Sequence, residues 1–264
     1  LNNPPYIKNK VPGVGDNPVG SYRRTFTLPA GWDAKNVFLH FDGLYSAAFV
    51  WVNGEYVGYT QGGNNDAEFD VTEHLRAGIN NISVQVFRWS DASYLEGQDM
   101  FHMSGLHRDV YLYATPKTFV RDHYITSTLN SNYDGGSMNV ALEVDNRTGV
   151  AASKALEVEL VAPDGTTVAT KSANVEFAEG TNVANCNVLF DGLTSLLPWT
   201  AETPNLYTVI VRQKDATANE EMVFSTKYGF RHIEIKNGVV LINGQRVYFK
   251  GVNTQDSHPL YGRT

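Results

Sequence analysis

The chain has 264 residues, 42% of them hydrophobic and 19% charged, with a net charge of −7 and a single cysteine, Cys186. This length is typical of about two domains, and no apolar run approaches the roughly 18 residues of a membrane helix. The acidic balance without a basic cluster argues against nucleic acid as a partner, and one cysteine excludes an internal disulfide or a cysteine-based zinc cage.

The first half of the sequence is predicted to form short strands joined by tight turns. Apolar and polar residues alternate in SYRRTFTL, NNISVQVF and RDVYLYATP, and NVFLHF places Val37, Leu39 and Phe41 on one side of a strand and Phe38 on the other. Asn53 and Gly54 lie between two runs of aromatic and β-branched residues and predict a hairpin, because both residue types tolerate positive φ. EFDVTEHL predicts a strand that runs into a short helical turn. Turns at this frequency are typical of an all-β sandwich.

A long segment, RWSDASYLEGQDMFHMSG, interrupts these strands. A simple connector is usually shorter and richer in turn residues, so this density of charged and aromatic side chains indicates either an elaborate surface or part of a site. Asp91 is the leading candidate, since it follows a strand end, where a rigid scaffold can aim a carboxylate at a ligand. The alternative is a turn aspartate that caps local amides. We expect Glu96 and Asp99 to be solvated or to make interdomain hydrogen bonds.

A second set of about seven strands follows over roughly 110 residues, from HYITSTL to EMVFSTKYGF, a number and spacing typical of an immunoglobulin-like sandwich. Asp164 and Gly165 predict a hairpin turn within this set. The Cys…Trp…Cys core pattern of antibody domains is absent, since the chain has one cysteine. No sustained helical periodicity occurs anywhere in the sequence, so the chain is predicted to be all-β.

The stretch after residue 230 contains two more Asn-Gly turns and then a continuous apolar run, Val247 to Phe249, that leads into KGVNTQDSHPLYG. Strands without polar alternation are typical of parallel sheets buried on both faces. We therefore predict a strand over Val247 to Phe249 that begins a third, truncated domain. No basic or strongly apolar leader is found at the start of the sequence, as expected of a cytosolic protein or of a segment whose targeting signal was removed.

These segments resemble, in content and order, the N-terminal region of the β-galactosidases of glycoside hydrolase family 2. The resemblance covers nearly the whole chain and is carried by RWSDASYLEGQDMFHMSGLHRDV, FDGLYSAAFVWVNGEYVGY, AEFDVTEHLRAGINNISVQV, TPNLYTVIV and GFRHIEIKNGVVLINGQRVYFKGVN. It implies a jelly-roll galactose-binding-like domain over residues 1–117 and an immunoglobulin-like β-sandwich over residues 118–230. It also implies the start of a truncated (β/α)8 barrel over residues 231–264.

The resemblance implies a parent enzyme that is a retaining β-galactosidase acting on terminal non-reducing β-D-galactosides, with β-glucuronidase and β-mannosidase as sister activities. Retaining hydrolysis uses two carboxyl groups about 5–5.5 Å apart. In the family both lie downstream of the matched segments, so no residue here receives a catalytic role and this chain alone is expected to be inactive. A stand-alone carbohydrate-binding module is the alternative. Expected partners are the carbohydrate substrate, the chain's own catalytic barrel and another copy in a homo-oligomer, but not a membrane.

The same resemblance implies the substrate-binding residues. Asp91 matches an aspartate that reaches the sugar hydroxyls and a bound monovalent cation, whose remaining ligands would come from the barrel. The resemblance implies no cofactor in these residues themselves and implies Na and Mg for the intact enzyme. Asn253 is expected beside the pocket, at the carboxyl end of a barrel strand. Tyr45 stands where an Asn or Asp is common, and Gln255 where a histidine is common. Both keep hydrogen-bonding capacity and are retained as candidates, with a half-buried strand tyrosine as the alternative for Tyr45.

Overall fold

The computed structural model of the protein describes residues 17–63, 65–96, 103–215, 217–254 and 258–260. Over these residues the fold is nearly all-β, as predicted, with helical structure limited to a 3-10 turn at Thr72–His74 and a single α-helical turn, α1 (Ala92–Leu95). None of the helical structure in these ranges has the length and apolarity needed to cross a membrane. The chain divides into two compact units, with the boundary between Thr115 and Pro116 and with residues from Val252 onward assigned to the first unit.

The first unit consists of two antiparallel sheets and a short strand pair. Its strands are β1 (Val19–Thr27), β2 (Asn36–Phe41), β3 (Leu44–Tyr45), β4 (Ala47–Val52), β5 (Glu55–Gln61), β6 (Ala67–Asp70), β7 (Ile79–Phe87), β8 (Gly105–Leu106) and β9 (Val110–Thr115). The sheets have the strand orders β1-β7-β4-β5 and β6-β2-β9, and β3 pairs with β8. Inward side chains of both sheets form one hydrophobic cluster.

Local sequence signals explain how the strands and the hairpin of this unit form. Val37, Leu39 and Phe41 of β2 lie in the hydrophobic cluster, whereas Phe38 stacks on Tyr113 at a ring separation of 5.1 Å. The alternation predicted for this strand is therefore confirmed. The predicted hairpin between β4 and β5 is also confirmed, with φ of 53° and 88° at its two central residues.

The second unit also has two antiparallel sheets that enclose a hydrophobic cluster. Its strands are β10 (Thr118–Leu129), β11 (Gly135–Asn146), β12 (Ala152–Val161), β13 (Thr167–Phe177), β14 (Val183–Thr194), β15 (Tyr207–Lys214), β16 (Glu220–Tyr228), β17 (Ile233–Lys236), β18 (Val239–Ile242) and β19 (Gln245–Arg246). The orders are β10-β11-β14 and β13-β12-β15-β16, followed by a β17-β18-β19 meander. All seven strands predicted from the sequence between HYITSTL and EMVFSTKYGF are present.

The strand predicted over Val247 to Phe249 is not formed. Strand β19 ends at Arg246, and the Val247 amide adds one further hydrogen bond, to the Val240 carbonyl at 3.1 Å. Tyr248 and Phe249 are 67% and 79% exposed. A parallel barrel strand requires a hydrogen-bonded neighbour on each edge and cover on both faces, and the described residues provide neither here.

Candidate functional site

The polypeptide that leaves β7 is fixed by its neighbours before it reaches Asp91. The Asn17 side chain donates to the Trp89 carbonyl at 2.8 Å and accepts from the Trp89 amide at 2.9 Å. The Arg88 amide donates to the Pro18 carbonyl at 3.0 Å, and the Trp89 side chain is buried. The segment before β1 therefore holds the main chain immediately ahead of Asp91.

Asp91 begins the helical turn α1 without capping it. The Ser90 amide donates to the Ser93 hydroxyl at 3.0 Å, and the Tyr94 amide donates to the Asp91 carbonyl at 3.2 Å. The Asp91 side chain makes no capping hydrogen bond, and the residue is exposed. The turn is thus closed by Ser93 and the main chain, which leaves the Asp91 carboxylate available to a ligand.

The electrostatic neighbourhood of Asp91 includes the end of β5. Burial raises the pKa of the Tyr59 phenol, and the negative charge of Asp91 raises that pKa further, followed by a smaller contribution from Tyr56. The Tyr59 hydroxyl donates to Gln61 Oε1 at 2.8 Å. The charge of Asp91 therefore acts on the Tyr59 phenol at the end of this strand.

The opposite end of α1 is tied to the loop between β5 and β6. The Gly63 amide donates to Glu96 Oε2 at 3.2 Å. Tyr45 is fully buried, and its ring covers Gly63 so closely that a Cβ built on that glycine would lie 2.2 Å from Tyr45 Cδ2. The structure thus brings Tyr45, Gly63 and Glu96 together. The sequence did not reveal this contact, although the Gly62-Gly63 pair marks a place where another chain segment approaches closely.

The remaining candidates lie elsewhere. Asn253 is exposed and follows β19 in a stretch without regular structure. Gln255 and Asp99 lie outside the described residues. Tyr45 is an interior residue of the first unit rather than a half-buried strand tyrosine, so a substrate contact through its ring requires the ring to leave Gly63.

A second group of titratable side chains was not recognised in the sequence. His40 Nε2 lies 3.2 Å from Asp42 and 3.6 Å from Asp66, and its Nδ1 lies 3.6 Å from Glu68. Its ring stacks on Tyr111 at 4.9 Å. The signal that could have found it is the alternation in β2 and β9, which places His40 and Tyr111 opposite each other.

Metal-binding geometry was sought among the same side chains. Within the described ranges, no three His, Cys, Asp or Glu residues converge as metal ligands do, the His40 group included. A hard cation takes several oxygen ligands. Asp91 fits as one carboxylate ligand, because its oxygens are not used by the turn that carries it.

Comparisons with known proteins give the same family along nearly the whole chain. The profile described as "Glycosyl hydrolases family 2, sugar binding domain" matches residues 4–116, and the one described as "Glycosyl hydrolases family 2" matches residues 118–231. A β-galactosidase of Priestia megaterium is 39% identical over 260 residues, and one of Photobacterium profundum is 38% identical over 267 residues. Each alignment covers 98% of this chain and 25% of the relative.

Solved structures show the same fold. A Bacteroides uniformis β-glucuronidase superimposes with a TM-score of 0.85 at 24% identity, covering 94% of this chain and 30% of that one. A calcium-binding mutant of Bacteroides uniformis β-glucuronidase 2 gives a TM-score of 0.82 at 25% identity, covering 92% and 30%. The chain spans about a quarter of the length of the curated relatives it matches.

Proposed function

We propose that this chain, which belongs to glycosyl hydrolase family 2, is the non-catalytic N-terminal part of a retaining β-galactosidase and supplies one wall of its active site. The observation that carries the proposal is the identity of 39% and 38% to two β-galactosidases over 98% of the chain. Hydrolysis of terminal β-D-galactosides is the activity proposed for the parent enzyme. Its acid/base and nucleophile are assigned to parts of that enzyme outside these residues.

The finer fold assignment supports this role. We assign residues 1–117 to a jelly-roll domain and residues 118–230 to an immunoglobulin-like domain, whose strands β10 to β16 divide into sheets of three and four as in constant-type immunoglobulin domains. Residues 231–264 are assigned to the start of a (β/α)8 barrel. The meander β17-β18-β19 and the residues up to Gly251 belong to the second compact unit, so the barrel start rests on the resemblance of this segment alone.

Asp91 carries the proposed contact with substrate. An exposed carboxylate on a turn fixed from both ends accepts hydrogen bonds from sugar hydroxyls, and such charge-assisted bonds are worth about 1.5–3 kcal/mol each. The same oxygens suit a monovalent cation such as Na⁺, which when bound supplies positive charge to hold a sugar hydroxyl. No described residue is assigned to Mg²⁺.

The other candidates receive supporting positions. Asn253 and Gln255 are proposed to face the sugar from the end of the first barrel strand, where barrel enzymes place their site residues. Tyr45 is proposed to act from behind the site, through its packing on Gly63. Formation of a homo-oligomer stays a prediction.

The proposal is tested by exchanging this chain for the matching quarter of the Priestia megaterium β-galactosidase. We expect the hybrid to hydrolyse a chromogenic β-galactoside faster than the matching β-glucuronide, and this chain alone to hydrolyse neither. Asp91→Asn in the hybrid should lower kcat/KM by about tenfold to a hundredfold. Glu179→Gln, at an exposed carboxylate of the second unit, is the matched control. Unchanged kinetics for Asp91→Asn would remove Asp91 from the site.

A carbohydrate-binding module without catalysis is the second candidate, favoured by an aromatic surface on the outer face of β4 and β5. The ring centre of Phe49 lies 4.8 Å from that of Tyr59, 6.0 Å from that of Trp51 and 6.1 Å from that of Tyr56. Such rings offer apolar area to sugar C–H faces. Calorimetric titration of the chain alone with lactose separates the candidates, since a module binds and loses binding in Trp51→Ala, whereas an incomplete active site does not bind measurably.

A further inference from the structure

A cavity opens at the end of the first unit where strand β1 ends and strand β7 begins. Thr27, the last residue of β1, pairs with Ile79, the first residue of β7. The cavity has a volume of about 360 Å³, within the range of about 300–1,000 Å³ that is typical of ligand pockets. Its lining comes from two segments, residues 27–37 and residues 72–78.

The cavity lies at the opposite end of the sandwich from Asp91. Gly78, which lines the cavity, directly precedes β7, whereas Asp91 follows the other end of that strand, at Phe87. The nine residues of β7 span about 30 Å. A ligand in this cavity is therefore separate from the substrate contact proposed for Asp91, and a site here does not depend on the proposed function.

Hydrogen bonds fix the first wall of the cavity, which is the turn between β1 and β2. The Trp32 amide donates to the Pro29 carbonyl at 3.3 Å, and the Lys35 amide donates to the Trp32 carbonyl at 3.0 Å. The Val37 amide donates to the Thr72 hydroxyl at 2.9 Å, which joins this wall to the second one. Trp32 is half-buried and packs against the hydrophobic cluster of the unit. Its indole is therefore held in the lining.

The second wall is built around Arg76. Its amide donates to Asn80 Oδ1 at 2.9 Å, and Asn80 Nδ2 donates to the Arg76 carbonyl at 2.9 Å. Asn80 is fully buried. Arg76 Nε donates to the Ile79 carbonyl at 3.2 Å. The main chain and the Nε atom of Arg76 are thus fixed, while its two terminal nitrogens have no hydrogen-bond or ion-pair partner among the described residues.

Three charged side chains line the cavity: Asp33, Lys35 and Arg76. In the part of the chain that the structure describes, none of them forms an ion pair, although opposite charges share the same lining. Lys35 is half-buried, and the other two residues are exposed. Two cations and one carboxylate leave one net positive charge. The lining therefore suits a singly charged anion better than a doubly charged one such as phosphate.

The side chains of the lining define the chemistry of the ligand. The Trp32 ring offers apolar area of the kind that packs on the C–H face of a sugar. The cations donate charge-assisted hydrogen bonds to a carboxylate, and the Asp33 carboxylate accepts hydrogen bonds from hydroxyl groups. An apolar acid lacks the hydroxyl groups, and a neutral sugar lacks the negative charge. A uronic acid, which is a sugar ring with one carboxylate, provides all three.

We propose that this cavity is a binding site for a uronic acid residue of a glycan. The sugar ring packs on Trp32, the carboxylate binds Lys35 and the terminal nitrogens of Arg76, and a ring hydroxyl donates to Asp33. Hydrogen bonds within the chain already fix both walls. Binding therefore requires little ordering of the main chain.

An NMR titration of the ¹⁵N-labelled chain tests the proposal with methyl α-D-glucuronide and methyl α-D-glucoside, which differ only at the group that carries the carboxylate. We expect the glucuronide to shift the indole signal of Trp32, assigned through Trp32→Phe, and to bind at least tenfold more tightly than the glucoside. Its affinity should fall as NaCl is added. An equal response to the glucoside, to benzoate or to sulfate overturns the proposal, and so does the absence of any shift.

Variants of the two cations locate the carboxylate. Lys35→Met and Arg76→Gln should each weaken binding of the glucuronide by about tenfold. Arg76→Lys should weaken it less, because it keeps the charge and loses only the planar fork. Lys236→Met, at an exposed lysine of the second unit, is the matched control, and the thermal unfolding midpoint of each variant checks that it is folded. Unchanged affinity in folded Lys35→Met and Arg76→Gln overturns the proposal.

The hybrid with the Priestia megaterium enzyme separates this cavity from the active site. The glucuronide should leave hydrolysis of the chromogenic β-galactoside unchanged at concentrations that saturate the cavity, and competitive inhibition would place the acid at the active site and overturn the proposal. An inactive hybrid that binds the glucuronide in a calorimetric titration defeats the proposed function alone. An active hybrid that does not bind it defeats the uronic acid site alone.

Discussion

The two units differ in how particular charged side chains are used. On the second unit, Arg212 reaches Glu159 at 2.7 Å and Glu220 at 3.2 Å across neighbouring strands, and Lys154 pairs with Glu221 at 2.6 Å. On the first unit, the Asp91 carboxylate leaves its own turn uncapped. These strands of the second unit thus pair their charges with one another, whereas the proposed substrate contact of the first unit is a carboxylate that its own turn does not use.

The two units also differ in how completely their strands are buried. The inward residues of β11, β12, β14 and β15 are almost completely buried, and Phe190 is 0% exposed. In the first unit, β1 is exposed along almost its whole length. The exposed strand β1 and the uncapped Asp91 carboxylate thus occur together on the first unit, which is where the proposed substrate contact is placed.

The largest expected effect contrasts the two cores. Phe190→Ala should destabilise the second unit by about 3–5 kcal/mol, because it removes a fully buried aromatic ring. Phe26→Ala in β1 should cost about 1 kcal/mol or less, since that ring is only half-buried. Urea unfolding of each variant gives the comparison. Equal losses of free energy would mean that β1 is packed as firmly as β14.

An intermediate effect is expected at Gly63. Its substitution by Ala places a Cβ against the buried Tyr45 ring, at 2.2 Å from Cδ2 before relaxation, and overpacking of this kind costs about 1–3 kcal/mol. Gly251→Ala, with open space around it, is the matched control. Thermal unfolding should show a lower midpoint for the first variant alone. If the midpoint stays in place, the ring has room to move and Tyr45 is not a fixed support.

A smaller effect is expected at Glu96, at the end of α1 opposite Asp91. Glu96→Ala removes the acceptor of the Gly63 amide and should cost about 1 kcal/mol, while Glu96→Gln keeps an acceptor oxygen and should cost less. In the hybrid enzyme, Glu96→Ala should raise KM for a galactoside in the same direction as Asp91→Asn. The double variant should lose less than the sum of the two, if Glu96 acts by positioning Asp91. Additive losses would assign Glu96 to stability alone.

The sequence predicted what depends on neighbours along the chain. Alternation and turn chemistry act over a few residues. They predicted the strands of both units, the two faces of β2, and the hairpin at Asn53 and Gly54. The prediction of a strand from Val247 to Phe249 was wrong, because parallel pairing depends on partners that are distant in sequence. The burial of Tyr45 and its contact with Gly63 are also long-range and leave no periodic signal.

The smallest effect concerns the charge network of the second unit. The Thr167 hydroxyl and then the Arg212 guanidinium donate hydrogen bonds to Glu159 and hold the pKa of its carboxyl below the ordinary value of 4.5. Because the folded pKa is the lower one, this stabilisation is fully present above pH 4.5 and is lost as the pH falls through the folded value. Glu159→Gln should therefore flatten the acid limb of the unfolding midpoint against pH, while Glu179→Gln should leave the limb unchanged. The flattening should be slight, since partly exposed ion pairs are screened by solvent. An identical acid limb in Glu159→Gln and the unmodified chain would mean that the network on the second unit contributes nothing to its stability, and the contrast in charge use between the two units would then concern geometry alone.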